Sequence, residues 1–200
     1  MDPSSTLILL CDLQERFRPA ISGFDHVVAT TNKVLKIAKV LGCEVLVTTQ
    51  KTKALGPTDP AIALESLGPL HIGTFDKTLF SMLTPEVLSQ ITTRPHIKNI
   101  VLIGIESHIC ILQTALSLLV HPKKYAVYVL ADGVSSCNPA EVPIALAQMR
   151  ASGAIVVSSE SLGYQLVRDA AIPEFKAFGN IIKEEKETTS KTVDTLLGRL

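Results

Sequence analysis

Five short runs of aliphatic residues recur along the chain with almost no polar alternation, at 7–11, 44–48, 99–104, 126–131 and 154–157. A strand with one face in water alternates apolar and polar side chains. Unalternated runs of this length therefore predict strands covered on both faces. Longer amphipathic stretches separate them, at 24–41, 84–90, 107–119 and 138–152, and predict helices. That rhythm confines the chain to a three-layer α/β/α architecture with a mostly parallel sheet. A sixth strand, at 71–75, is less apolar and follows partly from the repeating βα order.

Punctuation supports these bounds. Asn138-Pro139-Ala140-Glu141 predicts an N-cap, proline at the first helical position and a capping-box glutamate. Thr84-Pro85-Glu86 makes a similar start, and Gly42 and Gly153 fall where a helix gives way to a strand. Gly56-Pro57 and Asp59-Pro60 mark a loop. Closing helices are expected at 158–167 and 173–183, completing one domain over 1–183. The Lys/Glu/Thr-rich stretch at 184–200 predicts a mobile polar tail whose apolar Leu196-Leu197 could dock on a partner subunit. No internal repeat is evident.

Composition narrows the partners. The 19 basic and 19 acidic residues give a formal net charge of zero, so neither nucleic acid nor an anionic membrane is an expected partner. No apolar run approaches the roughly 20 residues that span a bilayer. The first run, at 6–11, is too short for a signal peptide and follows no basic leader, so a cytoplasmic location is expected. Cys11, Cys43, Cys110 and Cys137 contain no C-x-x-C pair, which argues against zinc, thioredoxin-type or disulfide frameworks. Cys11, Cys43 and Cys137 read as small packing groups.

Open parallel sheets bind ligands outside the carboxyl ends of their strands. Four polar segments fall there: Asp12-Leu13-Gln14, Asp76-Lys77, the turn from Gly104 to Cys110, and Asp132-Gly133. Cys110 lies in the first turn of a predicted helix, where the positive end of the dipole favours thiolate. Asp12 could take its proton, and Lys77 could hold both anions charged. Each has a plainer reading: the aspartate a turn or cap residue, the lysine solvated, the cysteine packed. Gln14, Phe17, Gln50 and Phe80 flank these segments and are expected to wall a pocket, with core packing the alternative for both phenylalanines. His108 favours a surface or cap role. His26, His71, His96 and His121 show no metal-ligand spacing.

Asp12-Leu-Gln-Glu-Arg-Phe, Lys77-Thr-Leu-Phe-Ser-Met and Gly104-Ile-Glu-Ser-His-Ile-Cys-Ile resemble, in order, the signature segments of the isochorismatase-like cysteine hydrolases. The resemblance covers about residues 5–167 and is closest to the small eukaryotic isochorismatase domain-containing proteins. It implies a Rossmann-like six-stranded sheet of order 3-2-1-4-5-6 and a catalytic triad of Asp12, Lys77 and Cys110. It also implies a cis peptide at Ile105–Glu106, an oxyanion hole from the backbone N–H groups of Glu106 and Cys110, and a homo-oligomer. Thr49-Gln50-Lys51-Thr52-Lys53 lacks the aspartate and histidines of the metal-binding nicotinamidases, so no metal or other cofactor is expected.

The leading functional expectation is cysteine-dependent hydrolysis of a small amide or carbamoyl-type molecule through a thioester. Vinyl-ether hydrolysis of an isochorismate-like acid is the enzymatic alternative. A non-catalytic interaction protein that keeps the fold is the third.

Overall fold

A computed structural model of the chain describes residues 1–198. Its centre is one six-stranded sheet, β1 (Thr6–Cys11), β2 (Glu44–Gln50), β3 (His71–Lys77), β4 (Asn99–Ile105), β5 (Ala126–Ser135) and β6 (Ile155–Val157). Every neighbouring pair is parallel and the order is β3-β2-β1-β4-β5-β6. The expected topology is therefore present, including the less apolar sixth strand at the sheet edge.

The unalternated runs have a direct cause. Along β1, Leu7, Leu9 and Cys11 enter one core while Ile8 and Leu10 enter the other. The first core packs the sheet against α3 (Pro85–Thr92), α4 (Leu112–Leu119) and α5 (Glu141–Ala151) through Ile91, Ala115, Leu118, Leu146 and Met149. The second packs it against α1 (Phe24–Leu41) and α6 (Ser159–Val167) through Val27, Val34, Leu35, Leu162 and Leu166. Each such Leu, Ile or Val contributes about 1.5–3 kcal/mol on burial. Both faces of β1 are thus committed, which fixes its register strongly.

Helix bounds follow the punctuation with one shift. Thr84 caps α3, its hydroxyl accepting from Val87 N at 3.4 Å, and Gly42 closes α1 in the left-handed region at φ 75°. Asn138 instead closes a local turn by accepting from Ala140 N at 3.1 Å, so α5 begins later, at Glu141. Asparagine's capacity to bond its own backbone two residues on wins over its use as a helix cap. A short α2 (Thr52–Leu55) follows β2.

The expected polar tail is a correction. Residues beyond α7 (Phe175–Glu184) form α8 (Lys186–Leu197), which lies along α1. Lys33 Nζ donates to Thr189 Oγ1 at 2.8 Å, and His26 Nδ1 bonds Thr192 Oγ1 at 3.1 Å. Leu196 and Leu197 pack on this chain's own cores, Leu196 passing close over Gly23. Threonines are poor helix formers, yet here they supply hydrogen-bond partners for the buried Lys33 and the half-buried His26 of α1, so tertiary contacts override propensity. Arg199 and Leu200, the end of the expected tail, lie outside the described residues.

Candidate active site

The sheet order puts β1 between β2 and β4, where the connecting helices change faces. The crevice at that switch point is where such sheets bind ligands. Asp12 follows β1 with φ 51°, a left-handed conformation that aspartate tolerates better than most residues, and its N–H donates to Thr48 O at 3.1 Å. Lys77 ends β3. Cys110 lies in a single π-wound turn, Ser107–Ile111, that leads into α4. The wide turn is visible as Ile111 N donating to Glu106 O five residues back, at 3.1 Å.

A close backbone approach aligns these parts. Cys11 pairs with Gly104 across β1 and β4, and a Cβ at Gly104 would meet Cys11 O at 2.1 Å. Only glycine fits that contact, at φ 121°. The peptide between Ile105 and Glu106 is cis. Among the described residues the Glu106 N–H finds no protein acceptor, while its carboxylate accepts from Cys137 N at 2.8 Å. Thr114 Oγ1 donates to Cys110 O at 2.6 Å and accepts from Met82 N at 2.9 Å, tying the turn to the loop after β3.

Asp12, Lys77 and Cys110 come together in this space. Lys77 Nζ donates to Asp12 Oδ2 at 2.6 Å and reaches Cys110 Sγ at 3.8 Å. It also contacts Gln50 Oε1 at 2.7 Å and the carbonyls of Leu79 and Phe80, each at 3.1 Å. Thr48 Oγ1 holds the other Asp12 oxygen at 2.7 Å. All three residues are buried, Cys110 least so at 7% exposure. Burial works against the Lys77 ammonium, but the acidic groups around it, Cys11, Asp12 and Cys110, outweigh burial and raise its pKa above the usual lysine value. Burial, the neighbouring Cys110 thiol and the Asp12 carboxylate together push the Cys11 thiol well above the ordinary range.

The expected pocket residues divide. Gln50 joins the cluster, accepting from Lys77 and donating Nε2 to Thr78 O at 3.0 Å. Phe80 lends its carbonyl to Lys77, and the residue is 53% exposed. Gln14 corrects the expectation. Its Nε2 donates to Gln50 O and Gly56 O, at 3.1 and 2.7 Å, and its Oε1 accepts from Gln50 N at 2.6 Å. The amide is consumed as a clamp between loops. Phe17 packs, half-buried, on the core beneath α1. His108 bonds Ser136 Oγ through Nδ1 at 2.9 Å.

Two neighbours escaped the sequence reading. Thr48 follows from the pairing of Cys11 with Thr48 across β1 and β2, once the sheet order is known. Cys11 has no such signal in the sequence: its sulfur, the Cys110 sulfur and an Asp12 oxygen all lie within 4.8 Å of one another. Those three donors could in principle hold a soft cation. The ammonium 2.6 Å from Asp12 Oδ2 opposes a divalent ion there.

The fold and site define a doubly wound α/β protein with buried thiols, a carboxylate and an ammonium gathered at its switch point. The Isochorismatase domain model matches residues 6–161, and the chain belongs to this family of isochorismatase-like hydrolases. It is similar to isochorismatase domain-containing protein 2A of Mus musculus, 42% identical over 91% of this chain and 84% of the relative. A secreted isochorismatase effector, Isc1 of Phytophthora sojae, is 42% identical over 91% of this chain and 86% of its own. Among solved structures, the MAR1 ribonuclease of Caenorhabditis elegans is 33% identical with TM-score 0.81, covering 92% of each chain. No helix among the described residues is long and apolar enough to cross a membrane.

Proposed function

We propose that this chain is a cysteine hydrolase acting on a small amide or carbamoyl-type substrate. The observation that carries the reading is the placement of Lys77 Nζ, 2.6 Å from Asp12 and 3.8 Å from Cys110, in a buried cluster at the switch point. Asp12 accepts the Cys110 proton, and the thiolate attacks the carbonyl carbon. The N–H groups of Glu106 and Cys110 receive the developing oxyanion, where one donor is worth about 2.7–4 kcal/mol in comparable sites. Asp12 returns the proton to the departing amine. Water then cleaves the thioester and regenerates the thiol. Lys77 bonds Asp12 and offsets the negative charge that develops on sulfur, while Thr48 and Gln50 hold that pair in place.

The reading needs no metal or organic cofactor, and it carries an intracellular homo-oligomer as a further proposal. The exposed Leu79 and Phe80, beside the site, give an assembly apolar surface to cover.

The test is a hydrolysis screen of wild type and Cys110→Ala across amides, carbamoyl compounds, isochorismate and RNA. Loss of amide or carbamoyl hydrolysis with retained fold is the expected result, and undiminished hydrolysis by the variant would overturn it. RNA enters because of the C. elegans relative, although a net charge of zero offers little attraction to phosphates. Turnover of isochorismate that survives loss of the thiol would select the vinyl-ether reading instead.

A further inference from the structure

Hydrolysis uses one thiol, yet the site contains two. Cys11 is fully buried at the end of β1, and its sulfur lies within 4.8 Å of the Cys110 sulfur and an Asp12 oxygen. Ordinary packing would be served by valine or alanine here, as by the aliphatic residues along the rest of β1. The contact is built by the fold: Gly104 allows β4 to close on Cys11, and the turn beyond Gly104 returns Cys110 to the same place.

We propose that Cys11 and Cys110 form a reversible redox pair, in which hydrogen peroxide oxidises Cys110 and Cys11 then closes a disulfide across the site. In the first step the Cys110 thiolate attacks one peroxide oxygen and the O–O bond breaks. With one proton taken up, the products are a sulfenic acid and water. In the second step the Cys11 sulfur attacks the Cys110 sulfur, the S–O bond breaks, and the thiol proton leaves with the hydroxyl as a second water. Peroxide is reduced and the two thiols are oxidised, so atoms and electrons balance.

Three features favour this course. Burial and the anionic neighbours keep Cys11 as a thiol, so Cys110, with Asp12 and Lys77 beside it, reacts first. The small opening at Cys110, 7% exposed, admits peroxide more readily than a bulky thiol, which leaves Cys11 as the accessible resolving partner. The two sulfurs start within 4.8 Å of each other, so closure to a disulfide of about 2.05 Å calls for only a local movement of the two side chains. The Lys77 ammonium opposes the competing use of the same atoms as a divalent-metal site. Closure would consume the nucleophile and stop turnover. It would also shield Cys110 from irreversible oxidation to sulfinic and sulfonic acids.

The proposal stands on the thiol geometry and not on the substrate. The test treats the full chain with hydrogen peroxide, digests it without reduction and maps the peptides by mass. The expected result is a linked pair carrying Cys11 and Cys110, with dithiothreitol restoring both thiols. Cys11→Ala is expected to give no linked pair and to accumulate Cys110 sulfinate that dithiothreitol does not reverse. The proposal is overturned if wild-type Cys110 passes to sulfinate with Cys11 still a thiol, links to Cys137, or stays unoxidised. The wild-type map decides alone should the variant not fold. Should Cys110→Ala retain full turnover, the hydrolase reading fails while the peptide map still reports on the pair.

Discussion

Two lysine–aspartate pairs are buried among the described residues, and they behave in opposite ways. Lys77 donates to Asp12 at 2.6 Å and is surrounded by further acceptors, and its charge is favoured. Lys33, on α1, stands 4.0 Å from Asp132 and donates to Thr189 of α8. Burial dominates there and lowers the Lys33 pKa, with Asp132, Glu160 and Glu185 only partly compensating. Asp132 is held instead by Ser159, whose N–H and hydroxyl donate to it at 2.7 and 2.5 Å. The first pair gathers charge beside a thiol, the arrangement the proposed hydrolysis needs. The second ties α1, α6 and α8 to the sheet. Burial of an ion pair is weak evidence of either role; what surrounds it decides.

Variants can break this contrast. Asp12→Asn is expected to lower turnover by on the order of 10³–10⁴-fold by removing the proton acceptor, read from steady-state kinetics. Lys77→Met is expected to cost roughly 10²–10³-fold through lost electrostatic stabilisation. Lys33→Met should leave turnover within about twofold and lower stability by about 1–3 kcal/mol in urea unfolding. Equal loss of turnover in the two lysine variants would erase the distinction. Gln50→Ala, which removes a hydrogen bond to the Lys77 charge, should cost about tenfold.

Alkaline stability sharpens the contrast further. The folded Lys77 pKa lies above its unfolded value, so its contribution is whole below the usual lysine range and is lost as pH rises through the folded value. For Lys33 the folded value lies below the unfolded one, so between the two the unfolded state binds more protons and stability rises with pH. Lys77→Met should remove a loss of stability at high pH, and Lys33→Met should remove a gain. Unfolding curves across the alkaline range check both signs.

The two pairs were not equally legible. Asp12, Lys77 and Cys110 each end or follow a strand; the strands before Asp12 and Cys110 announce themselves by unbroken apolar runs, whereas the one ending in Lys77 follows from the repeating βα order. The sheet rule placed them at one edge together with Asp132, and the family resemblance singled out the three. Asp132 also ends a predicted run, yet no local pattern distinguishes it from Asp12. Its role depends on Lys33 and Ser159, and Lys33 in turn bonds Thr189, 156 residues away in sequence. The same distance hid α8, whose threonines look like solvated polar residues until α1 is placed beneath them. Gln14 was misjudged because only the folded loops reveal that backbone groups claim its amide. Cys11 was passed over as core for a related reason, since its neighbour comes from the far side of a strand crossing.

The most direct test compares two thiols in the native protein. Cys137 is exposed, and the Glu106 carboxylate beside it raises its pKa, whereas Cys110 is buried beside Asp12 and Lys77. Site-resolved alkylation rates with an electrophilic amide at neutral pH separate accessibility from activation. If Cys110 is the activated nucleophile, it is modified faster than Cys137, and Asp12→Asn removes that advantage. Modification of Cys137 first, with Cys110 left unreacted, would contradict a nucleophilic Cys110.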